Sequence, residues 1–306
     1  MKDKDWNSPL QMETNKSKLF RAFGICFLLW GTLAAGATGP FTLSADKIAN
    51  GGVVRISAIL PKDANPATLK GRFEQTTLFF FPNFSVENGL FESFLGIPHA
   101  HGPEKSKVQL EWTSGDGKVT TQELLFEIID GGYASESLKV EPRKVSPRKK
   151  DLIRIKKEVS EVGALYSKVR LEKRWTGPFK FPIDSPMTSP YGTKRMFNGQ
   201  VQSYHSGLDL KAAVGTRVKA AAPGVVVLAK DLFFSGGTVI IDHGYGFFSL
   251  YCHLSAFKVK PGQEIQTGNL LGLSGKSGRV SGPHLHWQVV VQKVKVNPLE
   301  ITKVMR

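Results

Sequence analysis

The sequence predicts a mainly β protein: an N-terminal small β-sandwich, a basic helical connector and a C-terminal all-β domain. Three observations carry that prediction. Apolar and β-branched runs such as "GGVVRISAIL" and "GTVIIDHG" are separated by Gly, Pro, Asn, Asp and Ser turn signals in both halves of the chain. Apolar residues recur at intervals of three and four in one stretch between the halves. From Trp175 onward glycine is frequent and the helical period vanishes. A chain of 306 residues, 41% hydrophobic and 10% aromatic, holds enough apolar material for about two cores.

Residues 1–37 read as an export signal. A polar stretch ending in "NKSKLFR" precedes the apolar segment "AFGICFLLWGTLAAGA", residues 22–37, which closes on Ala35, Gly36 and Ala37. This segment is shorter than the roughly 20 apolar residues of a spanning helix. Cleavage after Ala37 is therefore the expectation, and an uncleaved N-terminal anchor, the one route to a membrane, is the alternative. Of the two cysteines, Cys26 lies inside this segment. The mature chain keeps Cys252 alone, so it forms no internal disulfide and relies on core packing or metal. The net charge of +15 calls for an acidic partner. Export argues against nucleic acid and for a cell-envelope polymer in the periplasm or outside the cell.

Residues 38–138 carry short strand-like runs: "GGVVRISAIL", "TLFFFPNFS", "SKVQLEW" and "VTTQELLFEII". The turn "TSGDGK", residues 113–118, joins two of them as a hairpin. Such spacing suggests a β-sandwich without a catalytic constellation. His99 and His101 in "IPHAHGP" lie among Pro98, Gly102 and Pro103, which reads as a solvated loop; the sharper alternative is a loop that touches a metal of the second domain.

Residues 139–174 hold thirteen Lys or Arg against five Asp or Glu. Ser146 and Pro147 mark a helix start, and Leu152, Ile155, Val159, Val162 and Tyr166 draw an apolar stripe beyond it. The expected element is an amphipathic helix whose basic outer face is either simply solvated or a contact for an acidic polymer.

Residues 175–306 alternate strand-like runs with "PG", "SGG", "TGN" and "SGKSGR" turns, and no helix of consequence is expected there. Within them His205 and Asp209 are four apart, and His284 and His286 two apart. On a strand, residues at even intervals share a face, so each pair presents its side chains together. Gly207 between the first pair opposes the alternative of a helical turn. Two such pairs brought together would supply a His/Asp zinc site with an open position, the other histidine of "HLH" standing beside the ligands. His253 in "SLYCHL" is the remaining candidate. His243 precedes a Gly-Tyr-Gly turn and reads as a structural strand-end residue. Cys252, next to His253, is expected to face the opposite side of its strand as a packed small hydrophobe, which disfavours Cys/His chemistry.

Taken together, "HSGLDL", "DHGYGFFSLYCHL" and "SGRVSGPHLHW" resemble the His-x-x-x-Asp, Tyr-x-His-Leu and His-x-His motifs of the lysostaphin-type (LytM-like) zinc endopeptidases, which cut peptides of bacterial peptidoglycan. The likeness runs from about Phe179 to Leu299 and includes "SPYGTKRMFNG" and "KVNPLE". It implies a duplicated-hybrid-motif domain, an open antiparallel β-sandwich with its site in a groove. It implies that His205, Asp209 and His286 bind Zn2+, that His253 and His284 are the catalytic imidazoles, and that peptidoglycan is the substrate, other acidic envelope polymers being further partners. The competing reading is a non-hydrolytic envelope module that binds peptidoglycan or activates another hydrolase; occupancy of all five motif positions favours the enzyme.

Overall fold

The computed structural model describes residues 41–83, 89–139, 141, 143, 146–197 and 200–304. The expected export segment, residues 1–37, lies outside them.

Between Phe41 and Ile129 two sheets close on one apolar core. The first runs in the order Phe41–Leu43, Val53–Ile59, Leu90–Gly96, Phe81–Pro82; the second runs Lys47–Ala49, Val119–Ile129, Glu104–Thr113, Asn65–Phe73, Thr76–Phe79. Strand alternation explains the closure. In Val53–Ile59 the side chains of Val54, Ile56 and Ala58 point inward and are fully buried, against Val108 and Leu110 of the facing sheet. Residues 113–118 form the expected hairpin turn, with Thr113 opposite Val119.

The strand Ser135–Leu138 leaves both sheets. It pairs in parallel with Lys194–Phe197, which pairs antiparallel with Gln200–Tyr204. The chain thus reaches the C-terminal region before the connector helix begins, and this crossing brings Glu136 to the site described below.

The helix spans Lys149–Tyr166, starting just after Pro147. Asp151 in its first turn accepts hydrogen bonds from Arg143 and Arg148, and the Arg143 bond above all holds its carboxyl well below the usual range. The buried face is offset from the apolar stripe. Ile155 and Tyr166 are buried, but Glu158 goes inward in place of Val159, which is 65% exposed. Glu158 is satisfied there by Arg154 Nε at 2.6 Å and by the Phe233 backbone N–H at 2.7 Å. Arg154 also reaches Asp231 at 3.0 Å. These contacts fix the helix against the strand Gly224–Leu232 and leave Val159 free to line a groove.

The C-terminal region is an antiparallel sheet built on the long strand Phe247–Phe257. That strand pairs with Gly236–Gly244, with His284–Val291 and, near its end, with Leu270–Ser274. The strand Leu208–Lys211 lies on the far side of His284–Val291. A short helix, Pro298–Val304, follows the last strand. The core beneath this sheet also takes in Val53, Phe81 and Phe94 from the N-terminal sheets. Phe81 stacks on Tyr245 at 3.7 Å and Phe94 meets Phe247 edge-on at 4.9 Å, so the two halves share apolar packing.

His243 is a structural residue within the strand Gly236–Gly244. Its Nδ1–H donates to the Pro223 carbonyl at 2.6 Å, and its Nε2 lies 2.7 Å from the Ser249 hydroxyl. Burial draws its pKa down to about 4. Between about pH 6.5 and 4 the unfolded chain therefore binds a proton at His243 that the folded chain does not, and stability falls as pH drops through that window. Urea midpoints at pH 7.5 and 5 should show a smaller acid loss in His243→Gln than in the wild type. Equal losses would remove His243 from the acid response.

Candidate metal centre and its groove

His205 follows the strand Gln200–Tyr204 and Asp209 sits in Leu208–Lys211, with an irregular break between them. The expected strand is interrupted because Gly207 passes against the neighbouring strand. A Cβ there would meet the Trp287 carbonyl and lie 2.9 Å from the His286 ring. Across the ladder Asp209 is opposite His286 and Lys211 is opposite His284. The result gathers the two distant motifs. Asp209 Oδ1 lies 2.9 Å from His205 Nε2 and 2.8 Å from His286 Nδ1, and the two imidazole nitrogens are 3.0 Å apart. His205 and Asp209 are buried.

His253 and His284 stand beside this cluster, their ring centroids 4.8 Å apart, with His253 6.0 Å from the His286 ring. His253 adopts a left-handed backbone, φ 62°, on a strand. The ladder steps from Val239 opposite Tyr251 to Gly237 opposite Leu254, a bulge that contains His253. Holding a non-glycine residue there costs on the order of 1–3 kcal/mol, a strain that accumulates where side chains are aimed for function. The bulge also corrects the simple alternation expected for this strand. Cys252 is buried and packs with Tyr166 and Phe248, as a small hydrophobe should, yet it lines the same hollow as His253.

Three of the imidazoles are oriented alike. The Nδ1–H groups of His205, His253 and His284 donate to the carbonyls of Pro190, Ser277 and Gly282 at 2.7, 2.8 and 2.9 Å. Each Nε2 then carries its lone pair away from the backbone. Among the described residues, the buried His284 Nε2 has no hydrogen-bond partner, and it lies 3.5 Å from Asp209 Oδ1. Burial, followed by the charges of His284 and His286, holds His253 well below the ordinary histidine value; burial draws His286 to about 4 against the pull of Asp209. The neutral forms are favoured at both positions.

Three residues that sequence reasoning did not single out, Arg195, Glu136 and Ser189, complete the centre. Arg195 Nη2 donates to Asp209 Oδ2, while its Nε donates to Glu136 Oε1 at 2.7 Å. Ser189 Oγ also donates to Glu136, at 3.1 Å. The guanidinium occupies one carboxylate oxygen and leaves Oδ1 directed at the imidazoles. Arg195 lies inside "SPYGTKRMFNG", but nothing in the sequence ties it to Glu136.

A hollow of about 460 Å³ borders the cluster, with His205, His253 and His286 on one side and Ile155, Val159 and Val162 of the helix on the other. A second, of about 240 Å³, takes in Asp209, His284, Glu136 and Leu138. Among the described residues, none before Glu136 lines either hollow. His99 falls between the two readings of its loop. Its Nε2 lies 3.0 Å from the Gly192 carbonyl and its ring packs on Tyr204 at 4.2 Å, so it braces the segment leading to His205 without reaching the cluster. His101 pairs with Glu74 at 2.9 Å.

Residues 203–298 match peptidase family M23. The peptidoglycan DD-endopeptidase ShyA of Vibrio cholerae is 36% identical over 124 residues, which cover 40% of this chain and 29% of that protein. The DD-carboxypeptidase/endopeptidase Mpg of Neisseria meningitidis is 35% identical over 115 residues, 38% of this chain and 26% of that one. The chain therefore spans less than a third of the length of either curated relative. A crystal structure of an M23 peptidase candidate from Pseudomonas aeruginosa aligns with a TM-score of 0.62 at 29% identity, over 84% of this chain and 96% of that one. That coverage extends beyond the C-terminal region into the N-terminal sheets.

Proposed function

From the match of residues 203–298 to peptidase family M23 we propose that the chain is an exported zinc metalloendopeptidase hydrolysing peptide bonds in the stems or cross-links of bacterial peptidoglycan. The names of its relatives, DD-endopeptidase and DD-carboxypeptidase/endopeptidase, favour bonds between D-centres. The observation that carries the reading is the arrangement of lone pairs around Asp209. With Nδ1–H of His205 given to Pro190, its Nε2 faces the Asp209 carboxylate acceptor to acceptor at 2.9 Å. A cation among His205, Asp209 and His286 resolves that opposition, and a set of two imidazoles and one carboxylate suits zinc in a site with one open position.

Zinc held by these residues would lower the pKa of a water to about 7 and polarise the scissile carbonyl. The chain's own contribution is proton handling and placement. His253 and His284, each with Nδ1 fixed on a carbonyl, turn Nε2 toward the reacting atoms. Between them they accept the proton of the attacking water, donate to the developing oxyanion and return a proton to the leaving amine. The helix wall shields the substrate from water over Ile155, Val159 and Val162. The basic outer face of that helix and the net charge of +15 suit an acidic envelope polymer.

Purified full-length protein should contain about one zinc per chain and release soluble fragments from sacculi. Chelation should stop release and added zinc should restore it. Full zinc content together with full activity in His286→Ala would overturn the ligand assignment, and activity indifferent to the chelator would overturn the metal reading.

A further inference from the structure

Asp209 and His286 face each other across a ladder, but His205 is held in another way. It follows the end of its strand, and residues 190–193 take its backbone bonds and its Nδ1–H. The Pro190 carbonyl accepts the Nδ1–H at 2.7 Å, the Gly192 N–H donates to the His205 carbonyl at 2.7 Å, and the His205 N–H donates to the Thr193 carbonyl at 2.8 Å. The Thr193 hydroxyl donates back to the Pro190 carbonyl at 3.0 Å. Where this segment goes, the imidazole goes with it.

The weak point of the segment is Gly192. Its φ is +83°, and glycine has the widest choice of backbone conformations of any residue. Two side chains from the N-terminal half remove that choice. The Tyr133 ring fills the place that a Cβ at 192 would take. His99 Nε2 lies 3.0 Å from the Gly192 carbonyl, and because a carbonyl can only accept, the imidazole is the donor. His99 is itself anchored in the N-terminal sandwich. Its carbonyl accepts from Asn50 Nδ2 at 2.7 Å, and Asn50 Oδ1 accepts from the Gly131 N–H at 2.8 Å. Its ring stacks on Tyr133 at 4.8 Å and packs at 4.2 Å on Tyr204, the residue before His205.

We propose that His99 is a positioning residue of the metal centre: by holding the Gly192 carbonyl it fixes the segment that places His205. The proposal rests on the zinc reading and deepens it. Among the described residues none before Glu136 lines either hollow, yet the N-terminal sandwich becomes part of the scaffold that shapes the ligand set. The influence passes through hydrogen bonds alone, from the His99 ring to the Gly192 carbonyl and from the Gly192 N–H to the His205 carbonyl. A partner bonded directly to a metal ligand is worth about 10- to 100-fold in metal affinity, and His99 acts one peptide further away, so the lower end of that range applies.

The test measures zinc affinity of the full chain by competition with a chromophoric chelator, without reference to turnover. His99→Phe keeps a ring against Tyr133 and Tyr204 and removes the donor. It should bind zinc about tenfold more weakly than the wild type. The visible spectrum of its cobalt-substituted form should also change, since that spectrum follows the geometry of the ligands. His99→Gln, whose amide nitrogen can stand in for Nε2, should recover most of the affinity. Tyr133→Phe removes the hydroxyl that donates to the Asn50 carbonyl and loosens the same seam without touching the Gly192 carbonyl. It should lower the urea midpoint and leave zinc affinity unchanged. His99→Leu, smaller and equally without a donor, carries the same expectation as His99→Phe should the phenyl ring prevent folding. Wild-type affinity and cobalt spectrum in the donor-less variant, no recovery in His99→Gln, or an equal loss of zinc in Tyr133→Phe would overturn the positioning role and leave the zinc reading intact. A wild type that binds no zinc would overturn the zinc reading and the role of His99 with it.

Discussion

Replacing His253 or His284 by alanine is expected to lower hydrolysis of sacculi by about 10²- to 10⁴-fold while leaving zinc bound, the range typical of a lost general acid or base. The two imidazoles lie within reach of one reacting group, 4.8 Å apart, and neither belongs to the group of donors that closes on Asp209 Oδ1. The separation of roles within "HLH" is geometric. His286 Nδ1 comes to 2.8 Å of that oxygen, whereas His284 Nε2 stays at 3.5 Å. Metal content decides the matter independently of rate, and loss of zinc in His284→Ala would exchange the roles of the two histidines. His253 needs a second variant, because its left-handed backbone carries strain that any substitution inherits. Asparagine tolerates that conformation better than alanine. His253→Asn should fold and bind zinc as the wild type does and still lose the activity; wild-type rates in it would remove His253 from the mechanism.

The cluster was legible in the sequence because sheet geometry is periodic. The even interval from His284 to His286 places two side chains on a common face, and antiparallel pairing sets Asp209 opposite His286; His205 joins them from the irregular break after its own strand, so its approach does not follow from the period. The period fails wherever the backbone leaves the regular ladder. The bulge at His253 puts Cys252 and His253 on one hollow, against the alternation expected of neighbours. The helix was legible from its apolar stripe, but which residue turned inward was not. Glu158 displaced Val159 because Arg154 and the Phe233 N–H satisfy a buried carboxylate there, partners that no helical spacing announces. Phe81 and Phe94 look like interior residues of an N-terminal core, and nothing in their pattern shows that they pack on Tyr245 and Phe247 instead. Glu136 is the extreme case. It joins the centre through a parallel pairing of Ser135–Leu138 with Lys194–Phe197, a contact between segments on opposite sides of the connector helix.

That pairing leads to the second large effect: Arg195→Ala should weaken zinc binding by about 10- to 100-fold, the usual loss when a partner that orients a metal ligand is removed. Two influences of the guanidinium compete. As a positive charge beside Asp209 it opposes a cation; as a hydrogen-bond donor to Oδ2 it fixes the carboxylate with Oδ1 toward His205 and His286. Glu136, 2.7 Å from Arg195 Nε, offsets the charge without disturbing the donor, so orientation should prevail. Competition against a chromophoric chelator measures the affinity without reference to turnover. Glu136→Gln should also weaken zinc, since it leaves the guanidinium charge unbalanced while the Asp209 contact persists. Tighter zinc binding in Arg195→Ala would show instead that the guanidinium acts on the centre chiefly by repulsion, and that Asp209 is held in place by its own strand.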